Sequence, residues 1–501
     1  VNELPAENFL AETNEWLSTR IGLSFPKERW PELQKRIHLA AQELGLGSGE
    51  ALLQWLRSVV PNRHQIEVLA SHLTVGETYF FREQALFEVL ESQVLSPLIA
   101  ARRGQERRLR IWSAGCASGE EPYSIAIVLH KLLADLKEWK VTILATDINP
   151  SFLAKAAAGA YGKWSFRGTP ASILDRYFRK ARDGRLETLP EIRKMVQLAY
   201  LNLAEDTYPS LATNTNAMDV ILCRNVLMYF APGRAKQILA KLQRSLVDGG
   251  WLILGPSELS LVPPDGLARV DFSDAILYRK GDGHSTRPEV RQTGAEAPLS
   301  MFPPWEPVYA QRASVSEADP PALSAGLVST PSGPVGEGSP LSTLDEAREL
   351  YQAGRYPEAA EKLREQDSPE AMALLVRCLA NEGRLTEALL SCERALAAVP
   401  GDAGLRYLRA TILQEEGRIE EAARSLRQAL YLDPTFVLAH FAQGNLALQR
   451  GRRRDALKHF RNALSGLADY PQGEILPESE GISAGRLAEL IQSTPLGREL
   501  A

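Results

Sequence analysis

A six-residue signature returns every 34 residues in the last third of the chain, and few folds tolerate that period. Gly383-Arg384-Leu385-Thr386-Glu387-Ala388 is followed by Gly417-Arg418-Ile419-Glu420-Glu421-Ala422 and Gly451-Arg452-Arg453-Arg454-Asp455-Ala456. Pro400 and Pro434 keep the same interval, and Ala395, Ala429 and Ala463 hold the same register. Thirty-four residues accommodate two helices and their turns, the tetratricopeptide period. Small side chains let the paired helices approach closely, and stacking buries a face that one unit alone leaves in water. An earlier unit, Gly354-Arg355-Tyr356-Pro357-Glu358-Ala359, precedes the next by 29 residues and reads as an atypical capping repeat. The array is expected over residues 343–468, with a tail at 469–501 that carries a last helix near Arg486–Gln492.

A chain of 501 residues needs more than this one core. Residues 1–90 read as an all-α part: Phe9, Trp16, Leu17 and Ile21 recur at helical spacing, as do Ile37, Ala40, Ala41 and Leu44. Its basic residues Arg20, Lys27, Arg29, Lys35 and Arg36 suit either a solvated helix face or a docking surface for an acidic partner. From 91 to 281 short apolar runs alternate with amphipathic stretches, as a mostly parallel sheet with crossover helices requires. The expected strands are Leu109–Ser113, Val141–Thr146, Met195–Tyr200, Asp219–Cys223, Trp251–Leu254 and Ala275–Tyr278. Helices are expected at 121–133 and 232–246, the second stopped by a glycine turn at Asp248-Gly249-Gly250. Residues 282–342, rich in Pro, Gly and Ser, read as a linker long enough for its flanks to move independently.

The chemistry gathers at three strand ends. In Ser113-Ala114-Gly115-Cys116-Ala117-Ser118-Gly119-Glu120-Glu121 a strand runs through glycines into a helix, leaving backbone N–H groups free for a ligand. The spacing is neither that of a dinucleotide fingerprint nor that of a nucleoside-triphosphate loop. Glu120 and Glu121 would repel a pyrophosphate but suit a cationic ligand, an α-ammonium or a sulfonium; their plain alternative is acidic capping of the helix start. Asp147 ends the next strand about 30 residues on, where a carboxylate can accept both hydroxyls of a ribose. Arg224 and Asn225 end a further strand, Asp219–Cys223. The glycine turn and Asp147 together describe a nucleoside site without phosphate, which S-adenosylmethionine fits.

Thr78-Tyr79-Phe80-Phe81-Arg82, the turn from Gly115 to Ser124, Ala145-Thr146-Asp147-Ile148, Asn202-Leu203, Cys223 to Phe230 and Gly255-Pro256-Ser257-Glu258 follow one another in the order of the CheR family, the chemoreceptor glutamate O-methyltransferases, and the chain resembles that family over roughly residues 5–280. The resemblance implies a Rossmann-like α/β S-adenosylmethionine methyltransferase domain between an N-terminal all-α domain and the C-terminal tetratricopeptide (TPR) domain. It implies that Thr78, Arg82, Glu121, Asp147, Asn202, Leu203, Arg224 and Asn225 line the cofactor pocket, with Arg82 and Tyr229 near the transferring methyl. Whether Glu120 or Glu121 holds the methionine ammonium stays open. Residues of about 160–194 correspond to the family's small β-subdomain, implicated in receptor contact. Enteric members carry Asn where Gly76 stands here, so one side-chain contact to the cofactor is lost or replaced by backbone.

The implied reaction forms glutamate methyl esters on the cytoplasmic helical region of a chemoreceptor, S-adenosylhomocysteine being the product, while the TPR array recruits a protein or peptide or regulates access. Alternatives from other classes are a signalling scaffold that binds the cofactor without turnover and a methyltransferase of small molecules. The net charge of −5 argues against a general nucleic-acid or anionic-membrane binder. Four cysteines without a paired spacing suggest neither a disulfide framework nor a zinc site. With no basic start at Val1-Asn2-Glu3-Leu4-Pro5 and no run long enough to span a bilayer, the expectation is a cytoplasmic protein without membrane insertion or metal.

Overall fold

A computed structural model describes residues 6–281 and 342–500 apart from 60, 62, 105, 205–207, 262–263, 274, 493, 495 and 497–498. The expected linker at 282–342 therefore lies almost wholly outside the described residues. Among the described residues, ten strands form two sheets. The strands are β1 (Arg108–Ala114), β2 (Lys140–Asp147), β3 (Ala160–Tyr161), β4 (Phe178–Lys180), β5 (Leu186–Thr188), β6 (Val196–Tyr200), β7 (Met218–Cys223), β8 (Leu246–Leu254), β9 (Leu267–Asp271) and β10 (Ile276–Lys280). The large sheet has the order β6-β2-β1-β7-β8-β10-β9. Its first five strands are parallel, and β10 runs antiparallel to both β8 and β9. Every residue of β1 and β7 is buried, which is why each reads as an unbroken run rather than an alternation. The chain leaves β1 toward β2 and β6, then returns to place β7 on the other side of β1, so the strand order reverses between β1 and β7.

Two expectations change at the sheet's far side. The helix Pro232–Ser245 passes straight into β8, and its end at Leu246 is extended rather than a left-handed glycine cap. Gly249 does take φ 75°, but inside β8: pairing steps from Met218 opposite Leu246 to Val220 opposite Trp251, so the Asp248-Gly249-Gly250 run is a bulge. Gly250 is required there because a Cβ would meet Val247 O at 2.8 Å. The strand β9 was not expected; only Leu267 of Leu267-Ala268-Arg269-Val270-Asp271 is buried, so this edge strand lacks an apolar alternation.

Helices Ala6–Arg20, Trp30–Glu43, Gly49–Ser58 and Arg63–Leu73 form the expected N-terminal part around Leu17, Ile21, Leu33 and Leu69. The next helical run, Gln84–Val89, Leu90–Leu95 and Ser96–Arg102, crosses residue 90 without a break. Its Leu86, Leu90, Val94 and Ile99 pack with Leu109 and Ile111 of β1, so it belongs with the sheet. The small sheet, β3-β5-β4, spans residues within the expected subdomain and packs Tyr161 and Phe178 on Phe80 at ring distances of 5.0 and 4.9 Å.

The array consists of helix pairs: Thr343–Gln352 with Tyr356–Leu363, Pro369–Asn381 with Leu385–Ala398, Ala403–Glu415 with Ile419–Leu432, and Val437–Gln449 with Arg453–Leu467. Gly383 and its 34-residue equivalents turn at φ near +70 to +79°, and the paired bonds Gly383 N–H to Ala380 O and Arg384 N–H to Leu379 O close each first helix. A last helix, Ala484–Gln492, follows.

Contacts fix this array on the amino ends of the parallel strands, contrary to the independent movement that the linker's length suggests. At the head of β1, Arg108 Nη1 donates to Glu415 Oε2 at 3.3 Å, Arg108 Nη2 to Gly383 O at 3.0 Å, and Arg110 Nη1 lies 3.6 Å from the same carboxylate. Asn216 Nδ2 donates to Glu415 Oε1 at 3.0 Å. Arg110 and Glu415 side chains are only 2% and 7% exposed, so neither charge has water to fall back on. Removing the carboxylate takes their shared anion from two guanidinium groups, which keep carbonyl and amide acceptors and, for Arg108, Glu106 at 3.9 Å. The expected outcome for Glu415→Ala is a loss of about 3–5 kcal/mol in chemical denaturation; an unchanged midpoint would show that water replaces the carboxylate at no cost.

Candidate functional site

The reversal between β1 and β7 opens a crevice at the carboxyl ends of the strands, where open α/β sheets take their ligands. Past β1 the chain turns through Gly115 at φ 82°; its N–H and that of Cys116 both donate to Thr146 O, at 2.8 and 2.9 Å. A Cβ on Gly115 would stand 2.4 Å from Val226 Cγ2, and one on Gly119 would stand 2.7 Å from Ala156 Cβ. Only glycine lets the turn come this close to its neighbours. The helix Glu120–Leu132 then starts at Gly119.

Consecutive helical side chains point about 100° apart, and this separates the two glutamates. Glu121 lines the crevice; its Oε1 accepts from Ser113 Oγ at 2.7 Å and its Oε2 from Arg224 Nη1 at 2.9 Å. Glu120 faces away, buried, with its carboxylate accepting from Ser118 Oγ at 2.8 Å and Ser165 Oγ at 2.9 Å. Of the two candidates for a cationic ligand, Glu120 is thus corrected to a structural role that ties the turn to the segment after β3. Burial raises its pKa against those hydroxyl bonds.

Asp147, at the end of β2, is 9% exposed. Its Oδ2 accepts from Ala117 N at 2.9 Å and its Oδ1 from Asn149 N at 2.8 Å, so both oxygens are aimed by backbone while further lone pairs stay free. Burial outweighs those bonds and pushes its pKa up to about 6. Arg224 is held between carboxylates, with Nη2 3.0 Å from Glu83 Oε2 and donating to Arg82 O at 3.0 Å. Its guanidinium stays charged, since the desolvation that would lower its pKa is overcome by Glu121 and Glu83.

Glu258, quoted above only as part of a motif, is the buried centre of the next loop. It accepts from four backbone N–H groups: Gly255 at 2.8 Å, Asn225 at 2.9 Å, Val226 at 2.6 Å and Leu227 at 2.7 Å. This bracket holds Asn225 at φ 57°, a conformation that asparagine tolerates better than most residues. Phe81, Glu83 and Ala117 are also left-handed, at φ 56, 63 and 45°. Four such non-glycine residues around one crevice mark stored strain of about 1–3 kcal/mol each. Two of them flank Arg82 and present it, its Nη1 donating to Glu77 O at 2.9 Å.

The N-terminal helices close the other wall. Ser24 N–H donates to Tyr229 O at 2.7 Å, Leu23 bridges Phe230, and the Arg29 guanidinium lies 5.6 Å from the Tyr229 ring. Burial raises the Tyr229 phenol, opposed by the positive charges of Arg29, Arg36 and Arg82. Arg36 itself is occupied with His72 O and Thr74 O, both at 3.0 Å.

Thr78, Arg82, Glu121, Asp147, Asn202, Leu203, Arg224, Asn225 and Tyr229 all line this one cavity of about 970 Å³, counted to its open mouth. Asn202 holds its amide by accepting from Ala204 N at 3.0 Å. Sequence reasoning missed Ile21, Leu23, Phe87 and Phe152, apolar wall residues from separate elements. Phe152 also accounts for Gly76: a Cβ there would meet its ring at 2.3 Å, so this ring leaves no space for a side chain at that position.

Residues 76–266 match the family profile "CheR methyltransferase, SAM binding domain", and 344–403 and 381–446 match tetratricopeptide repeat profiles. Chemotaxis protein methyltransferase 1 of Pseudomonas aeruginosa is 41% identical over 218 residues, 42% of this chain and 77% of that protein. A chemotaxis protein methyltransferase of Pseudomonas putida is 33% identical over 268 residues, 53% of this chain and 94% of its own. The probable biofilm formation methyltransferase WspC of Pseudomonas putida is 30% identical over 393 residues, 78% of this chain and 83% of its own, so that similarity extends into the array.

Two outcomes follow for S-adenosylhomocysteine binding measured by calorimetry. A protonated Asp147 loses acceptor capacity, so affinity should be flat above pH 7 and fall as pH drops through about 6, by at most about tenfold per unit. In Asp147→Asn the affinity should be weak and level across that window; a wild-type affinity independent of pH would detach Asp147 from the ligand. Glu258→Ala leaves four N–H groups without their acceptor, at about 1–3 kcal/mol for each one that stays buried. It should weaken binding at least tenfold although Glu258 does not line the cavity.

Proposed function

The chain belongs to the CheR methyltransferase family, with S-adenosylmethionine as the cofactor of its catalytic domain, and from that premise we propose that it esterifies glutamate side chains on the cytoplasmic helical region of a chemoreceptor or a related signalling protein. The observation that carries the reading is one cavity in which a guanidinium, Arg82, and a phenol, Tyr229, share walls with the buried carboxylate of Asp147.

Asp147 accepts the ribose hydroxyls and Glu121 the methionine ammonium. Glu121 can do so while bound to Arg224, because each of its oxygens keeps a second lone pair. Thr78, Asn202, Leu203, Arg224 and Asn225 complete the wall. When bound, the cofactor supplies a methyl group already activated on a sulfonium. An acceptor glutamate of pKa about 4.3 is anionic at neutral pH, so this chain needs no general base. Its own contribution is alignment and exclusion of water. Arg82 holds the acceptor carboxylate by a charge-assisted bond, and Tyr229 orients it by a hydrogen bond. Leu23, Phe152 and Phe230 keep the cavity's surroundings apolar. The basic N-terminal helices and the small β-sheet are the surfaces proposed to receive the receptor, and the array recruits a protein partner. The site of action proposed is the cytoplasm, where the receptor's signalling helices lie.

The test is transfer of labelled methyl from S-adenosylmethionine to a receptor cytoplasmic fragment, read as base-labile counts. Arg82→Ala should lower the rate on the order of 10²-fold while cofactor binding changes less; Asp147→Asn should lower both. Cofactor binding without transfer to any receptor fragment would favour a non-catalytic scaffold. Label incorporated into small molecules, with no competition by receptor fragments, would reassign the substrate.

A further inference from the structure

The first helices of the first three repeat pairs, Thr343–Gln352, Pro369–Asn381 and Ala403–Glu415, lie side by side in a row. Into this row reaches a short turn from the segment after the last pair. Glu478 pairs with Arg377, and Glu480 Oε1 accepts from Tyr351 Oη at 2.7 Å. Tyr351 in turn accepts from Asn381 Nδ2 at 3.0 Å. Between the two glutamates, Ser479 is buried and folds its hydroxyl onto Leu476 O and Ile482 O, so the turn is tight and both carboxylates leave it on the array side.

Three features set this turn apart from ordinary packing. Glu478 and Glu480 are both left-handed, at φ 64 and 56°, a conformation that glutamate rarely adopts and that the side-chain bonds must offset. Arg377 is 9% exposed, yet its Nη1 is buried without a hydrogen-bond partner, as is Asn381 Oδ1, so the turn does not saturate the groups that face it. And the Glu478 side chain remains 39% exposed, a point at which a competitor can begin.

We propose that this row is a binding site for an acidic turn, two carboxylates flanking one small residue, which the chain fills with its own Glu478-Ser479-Glu480 and which a protein partner presenting the same turn enters by displacement. The inference deepens the reading of the array as a recruiting surface and rests on it; it does not depend on methyl transfer. Displacement also has a consequence for the catalytic part, since Glu480 Oε2 accepts from Leu211 N at 2.7 Å, and Leu211 and Ala212 pack on the array's core.

The experiment uses the full wild-type chain and two synthetic peptides: residues 472–485, and the same peptide with both glutamates replaced by glutamine. A tethered turn competes at an effective concentration on the order of millimolar, so each peptide is added in excess of that. Hydrogen exchange of the chain's own amides at 474–484 should quicken severalfold with the acidic peptide and stay unchanged with the glutamine peptide. The effect should shrink at about 0.5 M salt. In full-length E478Q/E480Q, labelled acidic peptide should bind at least about tenfold tighter than in wild type, since the tethered competitor is weakened. Adding R377K to that background should remove most of the gain. Exchange unmoved by the acidic peptide, or moved equally by both, overturns the proposal. So does a dimer that forms with rising protein concentration through exchanged tails, which would assign the row to a second copy. Should E478Q/E480Q lose helical content, the wild-type exchange measurement decides alone. An enzyme inactive on every receptor would leave all these readings intact.

Discussion

Between β1 and β7 the strand order reverses, so the connections that leave the two carboxyl edges run in opposite directions and neither covers the gap. The buried charge at the carboxyl ends of these strands is a response to that gap. The β1 turn brings backbone to it, β2 delivers Asp147, β7 delivers Arg224 and Asn225, and the segment after β6 delivers Asn202 and Leu203. A packed sheet leaves no other place where so many backbone ends meet without a helix above them.

Putting charge there is costly unless each group is held. Glu121 and Arg224 satisfy one another, with Ser113 and Glu83 as outer partners. Glu258 is held by four N–H groups and gives the loop after β7 its shape. Asp147 is held only by backbone. Those N–H bonds do not make up for its desolvation, and its pKa stands near 6. A carboxylate kept short of partners in a cavity is poised for a ligand that donates to it. The left-handed residues Phe81, Glu83, Ala117 and Asn225 belong to the same account, because strain persists where the surroundings over-determine the backbone.

What could be read beforehand follows the range of the cause. The period of 34 and the runs of β1, β2 and β7 are local, and the structure bears them out within about two residues. Glycines at 115 and 119 and the acid at 147 were legible because one βαβ unit fixes their separation. Glu120 could not be told from Glu121 without the helix's rotation about its axis. The bulge at Asp248-Gly249-Gly250 depends on pairing with β7, which lies outside any local window. Phe152, Ile21 and Leu23 reach the cavity from elements far apart in sequence, and an apolar residue carries no mark of the wall it will join. The docking of the array was hidden for the same reason: Arg108 and Glu415 are 307 residues apart, and a linker's length bounds reach without deciding whether its ends meet.

The docking limits what the array can do to catalysis. It sits on the amino ends of the strands, while the cavity lies at their carboxyl ends, and the residues that line the cavity run no further than Phe230. The array therefore supplies no cavity wall among the described residues. One covalent stretch serves both places: Leu201, Asn202 and Leu203 line the cavity, and Leu211, eight residues past Leu203, packs on the array's core and donates to Glu480. Ligation of the array can alter methyl transfer in two ways, by holding an acceptor protein near the mouth or by shifting this stretch. The first changes the encounter with the acceptor and leaves cofactor affinity alone. With Asn202 and Leu203 in the proposed cofactor wall, the second would change cofactor affinity, and by reciprocity cofactor would then change the array's affinity for its partner by the same factor.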